Sequence, residues 1–220
     1  MIPLFHDFDG ETVLVVGGGA VGSRKAARFA TEARVVVVSP SFHDRFETLR
    51  TDAEADLELV REAPDADGVR EWVDRLDPAL VVAATDDETV NAATEAAARE
   101  AGALVNRTAR SGARPTDSVV VPATVADDPV RVALSTGGAS PALAKHLRER
   151  IEAEIDGAGA MARVSGDVRE ELKERGADPE TRRDAVRAVV RSTAVWKALQ
   201  EDESKGRQEA ERVVEEMVHT

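Results

Sequence analysis

The chain has 220 residues, with 42 acidic and 29 basic side chains, a formal net charge of −13 and no cysteine. The lack of cysteine excludes disulfides, thiolate metal sites and a cysteine nucleophile, and acidic residues spread along the whole chain argue against a nucleic-acid partner. No signal peptide or apolar stretch near the length of a membrane span is present, so we expect a cytoplasmic protein without a membrane partner.

Basic charge is carried mostly by arginine, because only five residues are lysine. Aromatic residues make up 3% of the chain, and alanine and valine are abundant. This composition, with its acidic surplus, predicts adaptation to high salt. An ordinary acidic mesophilic protein would also fit it.

The first predicted strand, Val13–Val16, runs into a glycine-rich turn and then into a helix-compatible segment. Gly17, Gly19 and Gly22 have the spacing G-x-G-x-x-G. The first glycine makes the tight turn, the second lets the backbone approach a pyrophosphate, and the third lets the helix pack against the strand. We therefore predict a dinucleotide site here; the alternative is a glycine-rich turn without a ligand. The predicted cofactor-binding residues of this turn are Gly17, Gly19, Ala20, Val21 and Gly22.

The second predicted strand, Val35–Val38, ends without the acidic residue that usually binds the ribose hydroxyls. Ser39, Pro40 and Ser41 follow instead, and the Ser39 hydroxyl is a candidate ribose ligand. No arginine stands directly at the strand end to bind a 2′-phosphate, so we expect the cofactor to be NAD rather than NADP.

Strands and helices alternate as far as Asn106, which predicts an α/β fold with a Rossmann-type doubly wound parallel sheet in residues 1–112. The further predicted elements are a helix over Phe42–Arg50, a strand over Leu57–Arg61, a helix over Val69–Leu76 capped near Asp67, a strand over Leu80–Ala84, a helix over Glu88–Ala101 closed by Gly102, and a strand over Ala103–Asn106.

In such a sheet, ligands bind outside the carboxyl ends of the strands. Thr85, Asp86 and Asn106 therefore join the predicted cofactor site. Asp86 and Asp87 have a second interpretation, because an aspartate before a helix can simply cap its free N–H groups.

The chain changes character after Arg107. Two strands, Ser118–Val121 and Val130–Leu134, are predicted around a turn at Asp127–Pro129. A helix from Ala142 to about Ile155 follows, with Ser140 as its cap and Pro141 at its first position. The preceding Ser135-Thr136-Gly137-Gly138 is either a tight turn or part of an anion site.

The tail, residues 151–220, is predicted to be helical, with no second catalytic constellation. We expect helices over Val168–Arg175 and Pro179–Leu199, with glycines such as Gly166 as punctuation. Glu201–Gln208 is expected to be a poorly ordered hinge before a last amphipathic stretch.

Four motifs follow one another along the chain: Gly17–Val21 with Arg24-Lys25, Ala83–Asp87 with Asn91, Val105-Asn106, and Ser135–Gly138 with Ser140-Pro141 and Leu147-Arg148. In this order they resemble the precorrin-2 dehydrogenase family, which includes the amino-terminal module of siroheme synthases. The most discriminating is the S-T-G-G-x-S-P element, which ordinary Rossmann dehydrogenases lack.

The resemblance implies NAD-dependent oxidation of precorrin-2 to sirohydrochlorin, and in some members insertion of ferrous iron. It also implies a homodimer built by the segment at residues 113–150. Precorrin-2 is a polycarboxylate, so its pocket needs hydrogen-bond donors and positive charge. The predicted substrate-binding residues are Ser135, Thr136, Gly137, Gly138, Ser140, Arg107, Lys145 and Arg148, any of which could instead be solvated or paired.

The expected general base is where this sequence departs from the family. Many relatives have an aspartate three residues after the asparagine of the fifth strand, and this chain has Ala109 there. Asp117 is the nearest carboxylate and our candidate catalytic residue; the alternative is that water accepts the proton. The substitution puts iron insertion in more doubt than oxidation. His43 and His146 are fallback candidates for that step, although no metal site is predicted.

Two other functions compete with this enzyme. A non-catalytic NAD-binding sensor would gate a partner through the helical tail, but it would need neither S-T-G-G-x-S-P nor a group of arginines. A dehydrogenase for a small hydroxy or amino acid ranks lowest, because no histidine or lysine proton donor stands in a recognisable setting.

Overall fold

The computed structural model describes residues 3–108 and 118–218 and divides the chain into two compact units, Met1–Val121 and Pro122–Thr220. The elements of the first unit are β1 (Thr12–Val16), α1 (Ala20–Phe29), β2 (Arg34–Ser39), α2 (Arg45–Leu49), β3 (Leu57–Arg61), α3 (Ala66–Leu76), β4 (Leu80–Ala83), α4 (Glu88–Glu100) and β5 (Leu104–Arg107).

The first unit is a five-stranded parallel sheet with the order β3-β2-β1-β4-β5. Alternate residues of β1 enter two different cores, because successive side chains of a strand point to opposite faces. Val13 and Val15 pack with residues of α1 and α2, whereas Leu14 and Val16 pack with residues of α3 and α4. Helices therefore cover both faces, and the predicted Rossmann-type fold is confirmed.

Two helix starts in this unit differ from the prediction. The helix expected from Phe42 begins at Arg45, after a segment in which the His43 N–H donates to the Gly18 carbonyl at 2.8 Å. The helix expected from Val69 begins at Ala66, and the cap predicted near Asp67 is Asp65. Its Oδ1 accepts from the Gly68 N–H at 2.9 Å, which satisfies one of the free donors of the first turn.

The second unit begins with an antiparallel hairpin and continues with helices. Its elements are β6 (Ala123–Asp127), β7 (Val130–Leu134), α5 (Pro141–Glu154), α6 (Ala158–Glu174), α7 (Pro179–Arg191), α8 (Thr193–Glu201) and α9 (Glu203–Val218).

The first strand of the hairpin is not Ser118–Val121, as predicted, but Ala123–Asp127. The two-residue turn at Asp128-Pro129 pairs Asp127 with Val130 and so sets the register of the ladder. The backbone before Pro122 is used elsewhere, because Ser118 forms an isolated parallel bridge with Val105. The predicted turn and the predicted second strand are confirmed.

The helices of the tail differ from the prediction at Gly166, where a helix continues, and at Ser192, where a helix breaks. The predicted short helix is the end of α6, which runs through Gly166 without interruption. The predicted helix over Pro179–Leu199 breaks at Ser192, whose hydroxyl caps α8 by accepting from the Val195 N–H at 3.3 Å. The helix breaks at Ser192 because a serine that caps the next helix has an extended backbone conformation.

The expected hinge at Glu201–Gln208 is wrong, because α9 begins at Glu203. Gly206 is buried against α8: a Cβ built on it would lie 2.1 Å from Leu199 Cδ2. The missing side chain lets the two helices approach each other closely. The core of this unit combines residues of α6, α7, α8 and α9. Within the described ranges, no helix has both the length and the apolar character needed to cross a bilayer.

Candidate functional site

The glycine-rich turn joins β1 to α1, and its three motif glycines occupy different environments. Gly17 has φ +119°, and a Cβ there would lie 2.4 Å from the Ala84 carbonyl oxygen. A Cβ on Gly22 would lie 1.9 Å from the Gly17 carbonyl oxygen. Gly19 differs from both, because a Cβ on it would meet nothing within 4 Å. Gly17 and Gly22 are therefore fixed by the fold, whereas Gly19 leaves open space above the turn.

The N-terminus of α1 is suited to bind an anion. Gly19 is its N-cap with φ −73° and makes no capping side-chain hydrogen bond, and the first turn contains no acidic residue. Gly19, Ala20 and Val21 are exposed. Uncapped N–H groups at the positive end of a helix dipole fit a phosphate or pyrophosphate. These residues fit the pyrophosphate of a dinucleotide, as the spacing predicts.

Gly18 is a structural residue that the motif does not single out. A Cβ on it would lie 2.3 Å from the Ser41 carbonyl oxygen and 2.8 Å from Ser39 Cβ. Ser39 itself is 6% exposed. The glycine turn thus rests directly on the segment that follows β2, the segment predicted to bind the ribose. The sequence shows three consecutive glycines, but their spacing does not show that Gly18 lies against the segment at the end of β2.

Arg61 stands beside this segment, although it lies more than twenty positions away in the sequence. It ends β3 and is in register with Ser39. Its Nη1 donates to the Pro40 carbonyl oxygen at 3.1 Å, and its Cζ lies 5.4 Å from the centre of the Phe42 ring. Arg61 was not predicted, because only an arginine directly after β2 was expected to bind a 2′-phosphate.

The end of β4 is held by a side chain that the predicted site did not include. Asn91 is 2% exposed and bonds three groups of Thr85. Its Oδ1 accepts from the Thr85 N–H at 3.1 Å and from Thr85 Oγ1 at 2.9 Å, and its Nδ2 donates to the Thr85 carbonyl at 2.9 Å. Asn91 therefore fixes Thr85 at the carboxyl edge of the sheet.

Asp86 and Asp87 have different surroundings. Asp87 caps α4, accepting from the Thr89 N–H at 2.7 Å and from the Val90 N–H at 3.2 Å. Asp86 is exposed and is not the capping residue. The capping interpretation therefore applies to Asp87 and leaves the Asp86 carboxylate accessible at the edge where Thr85 lies.

Asn106 lies at the end of β5 and is 7% exposed. Its Nδ2 donates to the Val119 carbonyl at 2.8 Å, which ties the chain after the 109–117 segment back to the sheet. Its Oδ1 is buried and has no hydrogen-bond partner among the residues described here. A buried acceptor without a donor is costly, so this atom is a candidate for a ligand donor.

Arg107, predicted to bind substrate, is enclosed in an ion-pair network. Its side chain is 4% exposed, and it donates to Glu95 Oε2 at 2.5 Å and to Glu88. Burial by itself would raise the pKa of Glu95, but Arg107 and Arg99 outweigh burial and lower that pKa. Burial likewise opposes the charge on Arg107, and the two glutamates raise its pKa nonetheless. The guanidinium therefore links β5 to α4.

In the second unit, the S-T-G-G-x-S-P element forms a turn stabilised by its own hydroxyls. Ser140 caps α5, as predicted, by accepting from the Leu143 N–H at 3.2 Å. Thr136 Oγ1 donates to the Ser140 carbonyl at 3.2 Å, and Ser135 Oγ accepts from the Gly137 N–H at 3.1 Å. Gly137 and the adjacent Gly138 have positive φ, and a Cβ on either would meet nothing within 4 Å. The turn is ordered internally and open on its outer side.

Lys145 and Arg148 lie on α5 in exposed pairs. Lys145 Nζ is 3.9 Å from a Glu149 carboxylate oxygen, and Arg148 Nη1 is 2.8 Å from Glu152 Oε2. Exposed pairs of this kind contribute little free energy, about 0–1 kcal/mol, so both cations remain exchangeable for a substrate carboxylate.

The remaining predicted residues are the general base and the two histidines considered for iron insertion. Asp117 and Ala109 lie outside the described residues. His43 Nδ1 accepts from the Arg45 N–H at 3.2 Å, and His146 is exposed on α5. Within residues 3–108 and 118–218, no group of three His, Cys, Asp or Glu side chains could hold a metal ion.

Two known families match parts of this chain. Residues 4–123 match the family described as "Putative NAD(P)-binding", and residues 127–154 match the one described as "Sirohaem biosynthesis protein central". The first match covers the glycine turn and the whole parallel sheet. The second covers the S-T-G-G-x-S-P turn and α5.

Among curated relatives, the siroheme synthase of Methylococcus capsulatus is 37% identical over 222 residues, covering 97% of this chain and 42% of the relative. The siroheme synthase of Pseudomonas aeruginosa PAO1 is 38% identical over 184 residues, covering 83% of this chain and 37% of the relative. The chain thus spans less than half the length of these relatives.

A solved structure titled "SirC, precorrin-2 dehydrogenase" superposes with a TM-score of 0.67 at 22% sequence identity. The superposition covers 96% of this chain and 100% of that one. At this level of identity the likeness establishes a common fold. That fold includes the helical tail as well as the sheet.

Proposed function

The chain belongs to the NAD(P)-binding family that its residues 4–123 match, and on this premise we propose that it oxidises precorrin-2 to sirohydrochlorin with NAD. The observation that carries the proposal is the glycine turn, in which Gly17 and Gly22 are enclosed while Gly19 leaves open space at an uncapped helix N-terminus. The names of the siroheme synthase relatives and of the SirC structure supply the substrate class.

The proposed cofactor site is the carboxyl edge of the parallel sheet. The free N–H groups at Ala20 and Val21 would bind the pyrophosphate, and Ser39 would bind the ribose. Thr85, Asp86 and Asn106 lie at the ends of the next strands, and the amide of a nicotinamide would donate to Asn106 Oδ1, which has no partner among the described residues. When bound, the nicotinamide ring would accept a hydride. We propose NAD because no arginine follows β2 directly.

We propose that donors and cations of the second unit bind the substrate. The open turn at Ser135, Thr136, Gly137 and Gly138, capped at Ser140, and the exchangeable cations of Lys145 and Arg148 suit a polycarboxylate. We assign Arg107 to positioning, because both its terminal nitrogens already bind carboxylates of the first unit.

Oxidation also releases a proton, and we propose Asp117 as its acceptor, in the absence of an aspartate at the position of Ala109. An Asp117→Asn variant would then lose kcat and the acidic limb of its kcat–pH profile, with KM little changed. If water is the acceptor, Asp117→Asn retains the wild-type profile.

We further propose that residues 113–150 mediate a homodimer, with residues 151–220 as a separate helical region, and that the protein acts in the cytoplasm of a salt-adapted organism. The acidic surplus of the sequence supports the salt proposal. Iron insertion is the least supported step, since the position of Ala109 lacks the expected carboxylate. Sedimentation equilibrium in high salt tests the dimer directly.

The experiment that tests the function is anaerobic incubation of the purified protein with precorrin-2, with and without NAD, followed by addition of ferrous iron. We expect sirohydrochlorin to form only with NAD and to persist after iron is added. Conversion to siroheme faster than in a protein-free control would add a chelatase activity. Binding of NAD without any change in precorrin-2 would refute the proposal in favour of a sensor.

A further inference from the structure

The outer edge of the predicted ribose site, where β2 and β3 end side by side, has a charge arrangement unlike that of an NAD-selective Rossmann domain. β2 ends at Ser39, and Pro40 and Ser41 follow it, so no carboxylate stands at this strand end. An acidic residue here normally binds the ribose hydroxyls and repels a 2′-phosphate, whereas an arginine nearby accommodates one. The sequence therefore lacks the acidic residue that usually excludes NADP.

Arg61 supplies the positive charge that the sequence after β2 lacks. It ends β3 in register with Ser39, so strand pairing places the two residues side by side at the carboxyl edge. The donated hydrogen bond to the Pro40 carbonyl, 3.1 Å long, and the Phe42 ring at 5.4 Å orient the guanidinium over the Ser39–Phe42 segment. Arg61 is exposed and makes no ion pair with any described residue.

The neighbouring carboxylate points away from this position. Glu62 donates its backbone N–H to the Ser39 carbonyl at 3.1 Å, but its Oε1 accepts from Trp72 Nε1 at 3.1 Å. Trp72 belongs to the core on the α3 and α4 side of the sheet, whereas Phe42 packs on the core of the α1 and α2 side. The guanidinium of Arg61 and the carboxylate of Glu62 therefore lie over opposite faces. The α1 side is the one on which the glycine turn leads into its helix.

We propose that Arg61, with the hydroxyls of Ser39 and Ser41, forms a subsite for the 2′-phosphate of NADP, so that the protein accepts NADP as well as NAD. A guanidinium binds phosphate through charge-assisted and bidentate hydrogen bonds, and this one has donors left after its single bond to Pro40. The inference rests on the nucleotide-binding part of the proposed function and not on precorrin-2. It makes Arg61 the residue that determines cofactor specificity.

The test measures dissociation constants at one fixed salt concentration for NAD, NADP, 5′-AMP and 2′,5′-ADP. 5′-AMP represents the adenosine half of the cofactor, and its comparison with 2′,5′-ADP isolates the contribution of the 2′-phosphate. Wild type should bind NADP within about tenfold of NAD, a difference of about 1.4 kcal/mol. Arg61→Gln should raise the dissociation constant for NADP about 10- to 100-fold relative to that for NAD, the range for losing a hydrogen bond to a charged group. Arg61→Lys should restore part of the lost affinity.

Arg34→Gln is the matched control, because Arg34 pairs with Glu58 at the opposite end of the same two strands. It should leave the NADP to NAD ratio unchanged. A wild-type preference for NAD above about 100-fold, or an equal effect of Arg61→Gln on both nucleotides, would overturn the proposal. A protein that oxidises precorrin-2 with NAD yet rejects NADP overturns this inference alone, whereas one that binds neither nucleotide also overturns the proposed function.

Discussion

Replacing Gly19 by alanine separates the fold from the cofactor site. With φ −73° and no atom within 4 Å of a built Cβ, Gly19 can accept a side chain without strain. Because alanine restricts the unfolded chain, the variant should be as stable as wild type or more stable by about 0.4–1 kcal/mol. Its methyl group would occupy the space through which a pyrophosphate reaches the N–H groups of α1. Weakening one hydrogen bond to that charged group costs about 1.5–3 kcal/mol.

The dissociation constant for NAD should therefore rise at least about tenfold in Gly19→Ala. Isothermal titration calorimetry measures this change, and denaturant unfolding monitored by circular dichroism measures stability. Two glycine variants serve as controls. Gly22→Ala forces a Cβ to within 1.9 Å of the Gly17 carbonyl and should destabilise the protein by at least about 1–3 kcal/mol. Gly166→Ala lies in the interior of α6 with open space around it and should stabilise the helix by up to about 1 kcal/mol without affecting NAD.

Two results would refute this reasoning. If Gly19→Ala bound NAD as tightly as wild type, the open space would not be the approach of the pyrophosphate. If it unfolded as readily as Gly22→Ala, the contrast between an open and an enclosed glycine would be wrong.

Three further predictions concern stability. Glu95→Gln should cost about 3 kcal/mol, because it leaves the buried guanidinium of Arg107 with one fewer carboxylate. The pKa of Glu95 is lowered on folding, so its stabilisation is present above the usual carboxyl range and is lost as the pH falls through the folded-state pKa. As the pH falls below the usual carboxyl range, wild type should lose stability more steeply than Glu95→Gln in urea titrations. Gly206→Ala should destabilise by about 1–3 kcal/mol in thermal unfolding, since its Cβ would overlap Leu199, and a melting temperature equal to or above wild type would contradict the close packing of α8 and α9. With a net charge of −13, the protein should gain stability as sodium chloride rises from low to molar concentration; a melting temperature independent of salt would contradict the proposed adaptation.

The parallel sheet was predictable because its signals are local. Val13–Val16 and Val35–Val38 are continuous apolar runs, and the spacing of Gly17, Gly19 and Gly22 marks the turn between strand and helix. These features need no knowledge of distant residues. The central strands and the cofactor turn consequently agree with the structure to within a residue or two.

The elements of the second unit were less predictable because their signals are weak or depend on tertiary contacts. Only Val125 of β6 is buried, so the strand lacks a clear alternating pattern, and its register is set by the turn at Asp128-Pro129. Ser192 and Asp202 are polar residues in segments with helical periodicity. The capping bond of Ser192 divides the helix expected over Pro179–Leu199, and the capping bond of Asp202 starts α9. The role of Gly206 appears only when α8 lies beside α9.

Within the site, Arg61 and Gly18 were missed because their partners are distant in the sequence. Arg61 meets the Ser39–Phe42 segment through the pairing of β2 with β3, and Gly18 touches the same segment across the sheet. Arg107 was predicted to bind substrate, with pairing as the alternative, and α4 brings Glu95 beside it. Composition and spacing show which charges exist, whereas strand order determines which of them meet.

We propose that the protein transfers a hydride from precorrin-2 to a nicotinamide nucleotide, and the most direct test of this proposal is the stoichiometry of one anaerobic turnover. Wild type should form one NADH for each sirohydrochlorin, and Gly19→Ala should form both more slowly at limiting NAD while recovering at saturating NAD. Sirohydrochlorin formed without NADH, or NADH formation equal to that of a protein-free control, would contradict the account.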